Sequence, residues 1–143
     1  MEMIEQQIQA VADMVADADK VLVFTGAGVS TESGIPDFRG ADGIWKKYDP
    51  EDFTIQKFLS DKRARKLQWE LLSGGELSMT RIQPNPAHYA ITELEKMGKL
   101  YGVVTQNVDG LHGLAIRDAR PPTAGTAPAP EERLLEIHGT LFG

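Results

Sequence analysis

Val21-Leu22-Val23-Phe24-Thr25-Gly26-Ala27-Gly28 joins a short apolar run to a glycine-containing turn, and this stretch decides the fold. Four apolar residues in a row, with no polar alternation, suit a strand covered on both faces, as in a parallel sheet. Gly26 and Gly28 then let the backbone turn tightly and approach a ligand with no Cβ in the way. Upstream, Ile4, Ile8, Val11, Val15 and Ala18 recur at helical spacing among Glu, Gln and Asp. That pattern predicts an amphipathic helix over residues 2–18 with one buried face. Helix, buried strand and glycine turn in that order open a Rossmann-like unit, so the expected class is α/β.

Working downstream, residues 36–52 are rich in Gly, Pro and Asp, with Trp45 and Tyr48 among them, and read as a long loop. Loops of that length in compact domains are usually functional or mobile. Ile55, Phe58, Leu59, Ala64, Leu67 and Leu71 predict two short helices within residues 54–72, closed by Ser73-Gly74-Gly75. Asn85-Pro86 is a helix start, because Asn caps and Pro at the first helical position loses no needed hydrogen bond. Ala87, Ala90, Ile91, Leu94 and Met97 would form the buried stripe of that helix, and Gly98 its stop. A second buried strand follows over residues 100–105, and a third over residues 134–137, ending at His138-Gly139. Between them, residues 115–132 carry Pro121-Pro122 and Pro128-Ala129-Pro130 and read as an irregular surface loop. The sum is a partial Rossmann-like parallel sheet with flanking helices, in one domain spanning residues 1–143.

Composition narrows the function. A length of 143 residues suits one domain with a real core. The net charge of −6 argues against a nucleic-acid surface, which needs a basic stripe. No cysteine is present, which excludes disulfides, a thiolate nucleophile and a Cys-based zinc site within this chain. No apolar run approaches the roughly 20 residues that span a bilayer. The acidic, polar N-terminus is unlike a signal peptide, so the expected location is cytoplasmic, with no membrane partner.

Gly26-Ala27-Gly28 after a strand can cradle a pyrophosphate against the N–H groups of the turn that follows. The dehydrogenase pattern G-x-G-x-x-G nevertheless fails, because its third glycine position is Thr31. No strand ending in Asp or Glu follows about 20 residues on, where such an enzyme binds its ribose. Taken alone, these three residues could also be a plain joint between strand and helix.

The longer string is more specific. Gly26-Ala27-Gly28-Val29-Ser30 through Gly34-Ile35-Pro36-Asp37-Phe38-Arg39-Gly40 resembles the signature of the sirtuin family of NAD-dependent protein-lysine deacylases. So do Gln106-Asn107-Val108-Asp109-Gly110-Leu111-His112 and Ile137-His138-Gly139-Thr140, and Pro84-Asn85-Pro86-Ala87-His88 is similar to the helix start between them. The resemblance implies NAD as the cofactor and acylated-lysine proteins as substrates. It implies that Gly26, Ala27 and Gly28 line the pyrophosphate. Ala27, Asp37, Phe38 and Arg39 would form a flexible cofactor loop, with Phe38 over the reactive ribose carbon. Gln106, Asn107 and Asp109 would surround the nicotinamide and its ribose, Asp109 accepting from the carboxamide. His138 would be the general base. In the family, the acyl-lysine carbonyl oxygen attacks that ribose carbon, and a histidine helps deprotonate a ribose hydroxyl. The physics agrees: positive charge developing on the ribose must be shielded from water and met by a positioned nucleophile. An imidazole, largely neutral near pH 7, can then take the proton.

Plainer readings stand beside these. Asp37 could cap a turn after Pro36, Phe38 could be core, and His88 and His112 read as structural. The family's histidine motif is followed by cysteine pairs for a structural zinc and by the second half of the sheet. Neither is encoded in these residues, so the chain reads as a truncated N-terminal portion. It is expected to bind NAD weakly and to catalyse poorly. The competing functions are a non-catalytic NAD-binding fragment and a mono-ADP-ribosyltransferase, with an ordinary oxidoreductase last. Among acyl groups acetyl is favoured, because no Tyr–Arg pair of the succinyl-preferring kind follows Trp45, where Lys46, Lys47 and Tyr48 stand.

Overall fold

A computed structural model describes residues 2–75, 77–78, 82–119 and 133–141. Three parallel strands form its frame: β1 (Val21–Thr25), β2 (Leu100–Thr105) and β3 (Leu134–Glu136), in the order β1-β2-β3. Thr25 lies opposite Thr105, and Thr105 opposite Glu136. The three strand ends are therefore level, and the segments that follow all leave from one edge of the sheet. In parallel α/β sheets that is the edge where ligands sit.

Five helices accompany the sheet: α1 (Glu2–Asp17), α2 (Ile55–Ser60), α3 (Lys62–Ser73), α4 (Pro86–Lys96) and α5 (Leu111–Ala119). Their starts follow local chemistry. Thr54 and Asp61 cap α2 and α3 with side-chain oxygens. Asn85 Oδ1 accepts from Ala87 N at 2.9 Å, and Asn85 N donates back to His88 Nδ1 at 3.2 Å, a reciprocal box around Pro86. Gly98, at φ 71°, ends the turn after α4, a left-handed conformation that favours glycine. Within residues 36–52 the chain makes two short 3-10 turns, Ile44–Lys46 and Pro50–Phe53, and the fully buried Ile44 pins the first of them.

Four expectations change. The helix over residues 2–17 forms, but none of its residues is buried: Met3, Ile4, Ile8, Val11 and Met14 are all exposed. Strand β1 is covered on one face only. Leu22 and Phe24 point to the open side, Phe24 with 72% of its surface accessible, and Leu135 of β3 is exposed as well. An unbroken apolar run records what a strand is suited to pack against, and the described residues supply cover for only one of its faces. Residues 115–119 are helical, not irregular, because Leu111, His112, Ala115 and Ile116 recur on one buried face of α5. The remainder of that predicted loop, residues 120–132, lies outside the described residues.

The buried side of α4 also differs from its apolar stripe. His88 and Thr92 are buried and Ile91 and Leu94 half-buried, whereas Ala87, Ala90 and Met97 face outward. Each of these two polar side chains makes one local hydrogen bond: His88 Nδ1 accepts from Asn85 N, and Thr92 donates to Tyr89 O at 2.7 Å, while His88 Nε2 has no partner among the described residues. A polar group satisfied within its own helix, as Thr92 is, can be buried at little cost.

Candidate active site

From Thr25 the chain enters Gly26 in extended conformation and then a 3-10 turn, Ala27–Ser33, closed by Gly34 at φ 91°. The segment after β2 runs beside it. Gln106 N donates to Thr25 O at 3.1 Å, and Asn107 Nδ2 donates to Gly26 O at 3.2 Å. The end of β3 completes the edge. Gly139 N closes a turn onto Glu136 O at 3.0 Å, which holds His138, exposed, just past the strand.

These segments enclose a cavity of about 550 Å³. Of the candidate site residues, Gly26, Ala27, Gly28, Asp37, Phe38, Arg39, Gln106, Asn107 and His138 all line it. Asp109 does not. It lies in the wall of an adjoining cavity of about 420 Å³, shared with Ala27, Phe38, Gln106 and Asn107. That second cavity is mainly apolar, walled by Ile35, Pro36, Trp45, Phe53 and Val108, with Ser30 and Asp109 among its polar members. One space is open to charged groups and the other suits a flat, weakly polar ring.

Individual groups are held firmly. Asp37 Oδ1 accepts from Gly40 N at 2.8 Å, so the turn-capping reading of Asp37 holds alongside its place in the cavity wall. Phe38 is not core: it is exposed and stacks on Trp45 with ring centres 5.1 Å apart. Buried Asp109 accepts from Ser30 Oγ at 2.7 Å through one oxygen and from Leu111 N at 3.0 Å through the other. Asn107 Nδ2 also reaches Ser30 Oγ, at 3.2 Å.

Behind the cavity, His88 and His112 are both buried and their ring centres lie 4.8 Å apart. Burial pushes His112 down to about 4, helped by the neighbouring His88 and opposed by the Asp109 carboxylate. Burial likewise lowers His88, again against Asp109. Glu136 is held above the usual carboxylate range by burial and then by the Asp109 charge, with Arg117 opposing. The two histidines expected to be structural are thus neutral rings in the core.

Ser30, Thr25 and Trp45 received no role from the sequence. Ser30 stands inside the quoted glycine string, yet its partner Asp109 lies 79 residues away, a distance that no local pattern bridges. Trp45 was visible only as an aromatic in a loop.

A model of the Sir2 family matches residues 26–142, which takes in the glycine turn, both cavities and the strand end that carries His138. The chain belongs to the Sir2 family. It is 46% identical over 136 residues to an NAD-dependent protein deacetylase of Sulfolobus acidocaldarius, covering 95% of this chain and 47% of that protein. To an NAD-dependent protein deacylase of Pyrococcus abyssi it is 43% identical over 135 residues, covering 94% and 48% respectively. A solved Sir2 enzyme structure superimposes with a TM-score of 0.72 at 44% identity, over 95% of this chain and 47% of that one. The chain therefore spans about half the length of the curated relatives it matches. The α/β architecture, with its three-stranded parallel sheet, superimposes on solved Sir2 structures. Among the described residues no three His, Asp or Glu side chains gather to hold a metal ion, and the chain has no cysteine. No helix among the described residues is long and apolar enough to cross a membrane.

Proposed function

We propose that this chain carries the nicotinamide-side half of an NAD-dependent protein-lysine deacetylase site. The observation that carries this reading is the gathering of nine candidate residues, from four separate stretches of sequence, around one cavity, with Asp109 in the wall next door. The residues fit the cofactor. Gly26 and Gly28 expose backbone where a pyrophosphate would lie, and Arg39 brings a positive charge to the same cavity. Bound NAD would supply a ribose carbon that gives up nicotinamide and accepts the acyl oxygen of an acetylated lysine.

The chain's own groups then have distinct tasks. Asp109, its two oxygens already fixed by Ser30 and Leu111, presents a rigid acceptor for a carboxamide N–H. Phe38 and Trp45 form an aromatic lid that excludes water from the reacting side. Gln106 and Asn107 orient sugar hydroxyls from the loop after β2. His138, exposed at the rim, takes a proton from a ribose hydroxyl at a ring nitrogen. The setting of this activity is read as cytoplasmic, and the substrates as acylated-lysine proteins.

A second reading, a non-catalytic NAD-binding half, is favoured by the bare side of the sheet. Mass spectrometry of an acetyl-lysine peptide incubated with the chain and NAD separates the possibilities. Loss of acetyl with formation of O-acetyl-ADP-ribose supports deacetylation, and a peptide that gains ADP-ribose supports a transferase. An unchanged peptide together with measurable NAD binding supports the second reading.

A further inference from the structure

The two loops that build the cavity leave neighbouring strand ends, and their mutual position is set from two sides. In front, Gln106 N and Asn107 Nδ2 hold the carbonyls of Thr25 and Gly26. From behind, His112 Nε2 meets Thr25 Oγ1 at 2.8 Å, a bond between α5 and the last residue of β1. Neither Thr25 nor His112 lines either cavity. We infer that His112 is a positioning residue, which with Thr25 and the packed ring of His88 braces the glycine turn against the loop holding Asp109. The inference rests on the proposed reading of the cavity as a nucleotide site.

The brace continues beyond one bond. His112 sits in the first turn of α5, whose leading N–H is taken by Asp109 Oδ1, so ring and carboxylate are fixed to the same helix start. Its face packs on His88, whose Nδ1 accepts from Asn85 N. Asn85 in turn donates through Nδ2 to Val29 O at 2.7 Å and to Ser33 Oγ at 3.0 Å, gripping the far end of the same glycine turn. Residues 25–33 are thus held at the near end by His112 and at the far end by Asn85, and the two histidine rings join those anchors. A purely apolar filler would pack the same space without either bond. His88 Nε2, which must carry the proton because Nδ1 accepts, finds no partner among the described residues. A buried donor left so is costly, and it persists beside a pair of bonds that aim the site.

Thr25→Val tests this, since it keeps shape and removes only the hydroxyl, while Thr25→Ser keeps the hydroxyl. NAD affinity of the full chain would be followed by Trp fluorescence at a temperature where circular dichroism shows each variant folded. Amide hydrogen exchange would be recorded in parallel. The brace predicts roughly fivefold weaker binding in Thr25→Val, the factor for one ordinary hydrogen bond, with binding retained in Thr25→Ser. It also predicts faster exchange at Gln106 and Val29 than in α3, which lies outside the brace. Wild-type affinity in Thr25→Val with unchanged exchange overturns it. If the unmodified chain binds no NAD, the nucleotide reading fails by itself and exchange alone decides the brace. Selective loosening of the two loops then supports it, and uniform or absent loosening overturns it.

Discussion

Ser30 donates its hydroxyl proton to Asp109 across 2.7 Å, and both side chains are buried although they belong to different loops. Charge-assisted bonds of this kind are short and about twice as strong as neutral ones. Ser30→Ala would leave Asp109 Oδ2 without this donor in a dry setting. The expected cost is about 1–3 kcal/mol, read as a lower urea midpoint with an unchanged slope. NAD binding is expected to weaken as well, since the acceptor proposed for the carboxamide is no longer fixed.

His138→Ala separates chemistry from binding. The residue is exposed, so stability is expected to change by less than about 0.5 kcal/mol. The nine other candidate residues remain in place, and NAD affinity is expected to survive. Deacetylation measured by mass spectrometry is expected to fall by roughly 10²- to 10⁴-fold, the usual share of a general base. Activity that survives the substitution would remove His138 from that role.

Acid sensitivity follows from the buried histidines. His112 is held down to about 4 and His88 is also lowered, whereas the same rings in the unfolded chain titrate at their ordinary value. Between that ordinary value and about 4, the unfolded chain therefore binds protons that the folded chain does not. Stability is complete above this window and falls as the pH drops through it, by up to about 1.4 kcal/mol per pH unit for His112, and His88 acts in the same direction. Urea melts at several pH values would show the slope. His112→Gln is expected to flatten it even if it lowers overall stability.

Ile44→Ala tests the loop. Ile44 is fully buried in a segment otherwise rich in Gly, Pro and Asp, and its N–H bonds Asp37 O at 2.8 Å. Truncation is expected to cost about 2–4 kcal/mol and to loosen Phe38 and Trp45, which flank this anchor. A variant that melts like the parent would show that the loop is anchored elsewhere.

Much of this architecture was legible in the sequence. Asn85-Pro86 announced α4 through capping chemistry, and the glycine turn after Phe24 announced one wall of the cavity, because both are local. Gly26, Asn107 and His138 were recognised by motif, and they meet because three parallel strands end level. What stayed hidden depended on distance or on the rest of the fold. Ser30 and Asp109, or Thr25 and His112, are partners only once the sheet has formed. The inward turn of α4 was misjudged because His88 and Thr92, polar by type, each bond locally at their own helix. The expected burial of Leu22 and of the α1 stripe was misjudged for another reason: periodicity reports a demand for cover and not its supplier.

That bare side of the sheet bears on what a melting experiment measures. Leu22, Phe24 and Leu135 present oily surface on a layer whose other side is dressed by helices. Anything that binds such a layer only when it is folded raises its stability by mass action, by about 2.7 kcal/mol at a hundred times its dissociation constant. The midpoint of this chain is therefore expected to climb with protein concentration or with added hydrophobic binder. Its stability is a property of the mixture as much as of the molecule.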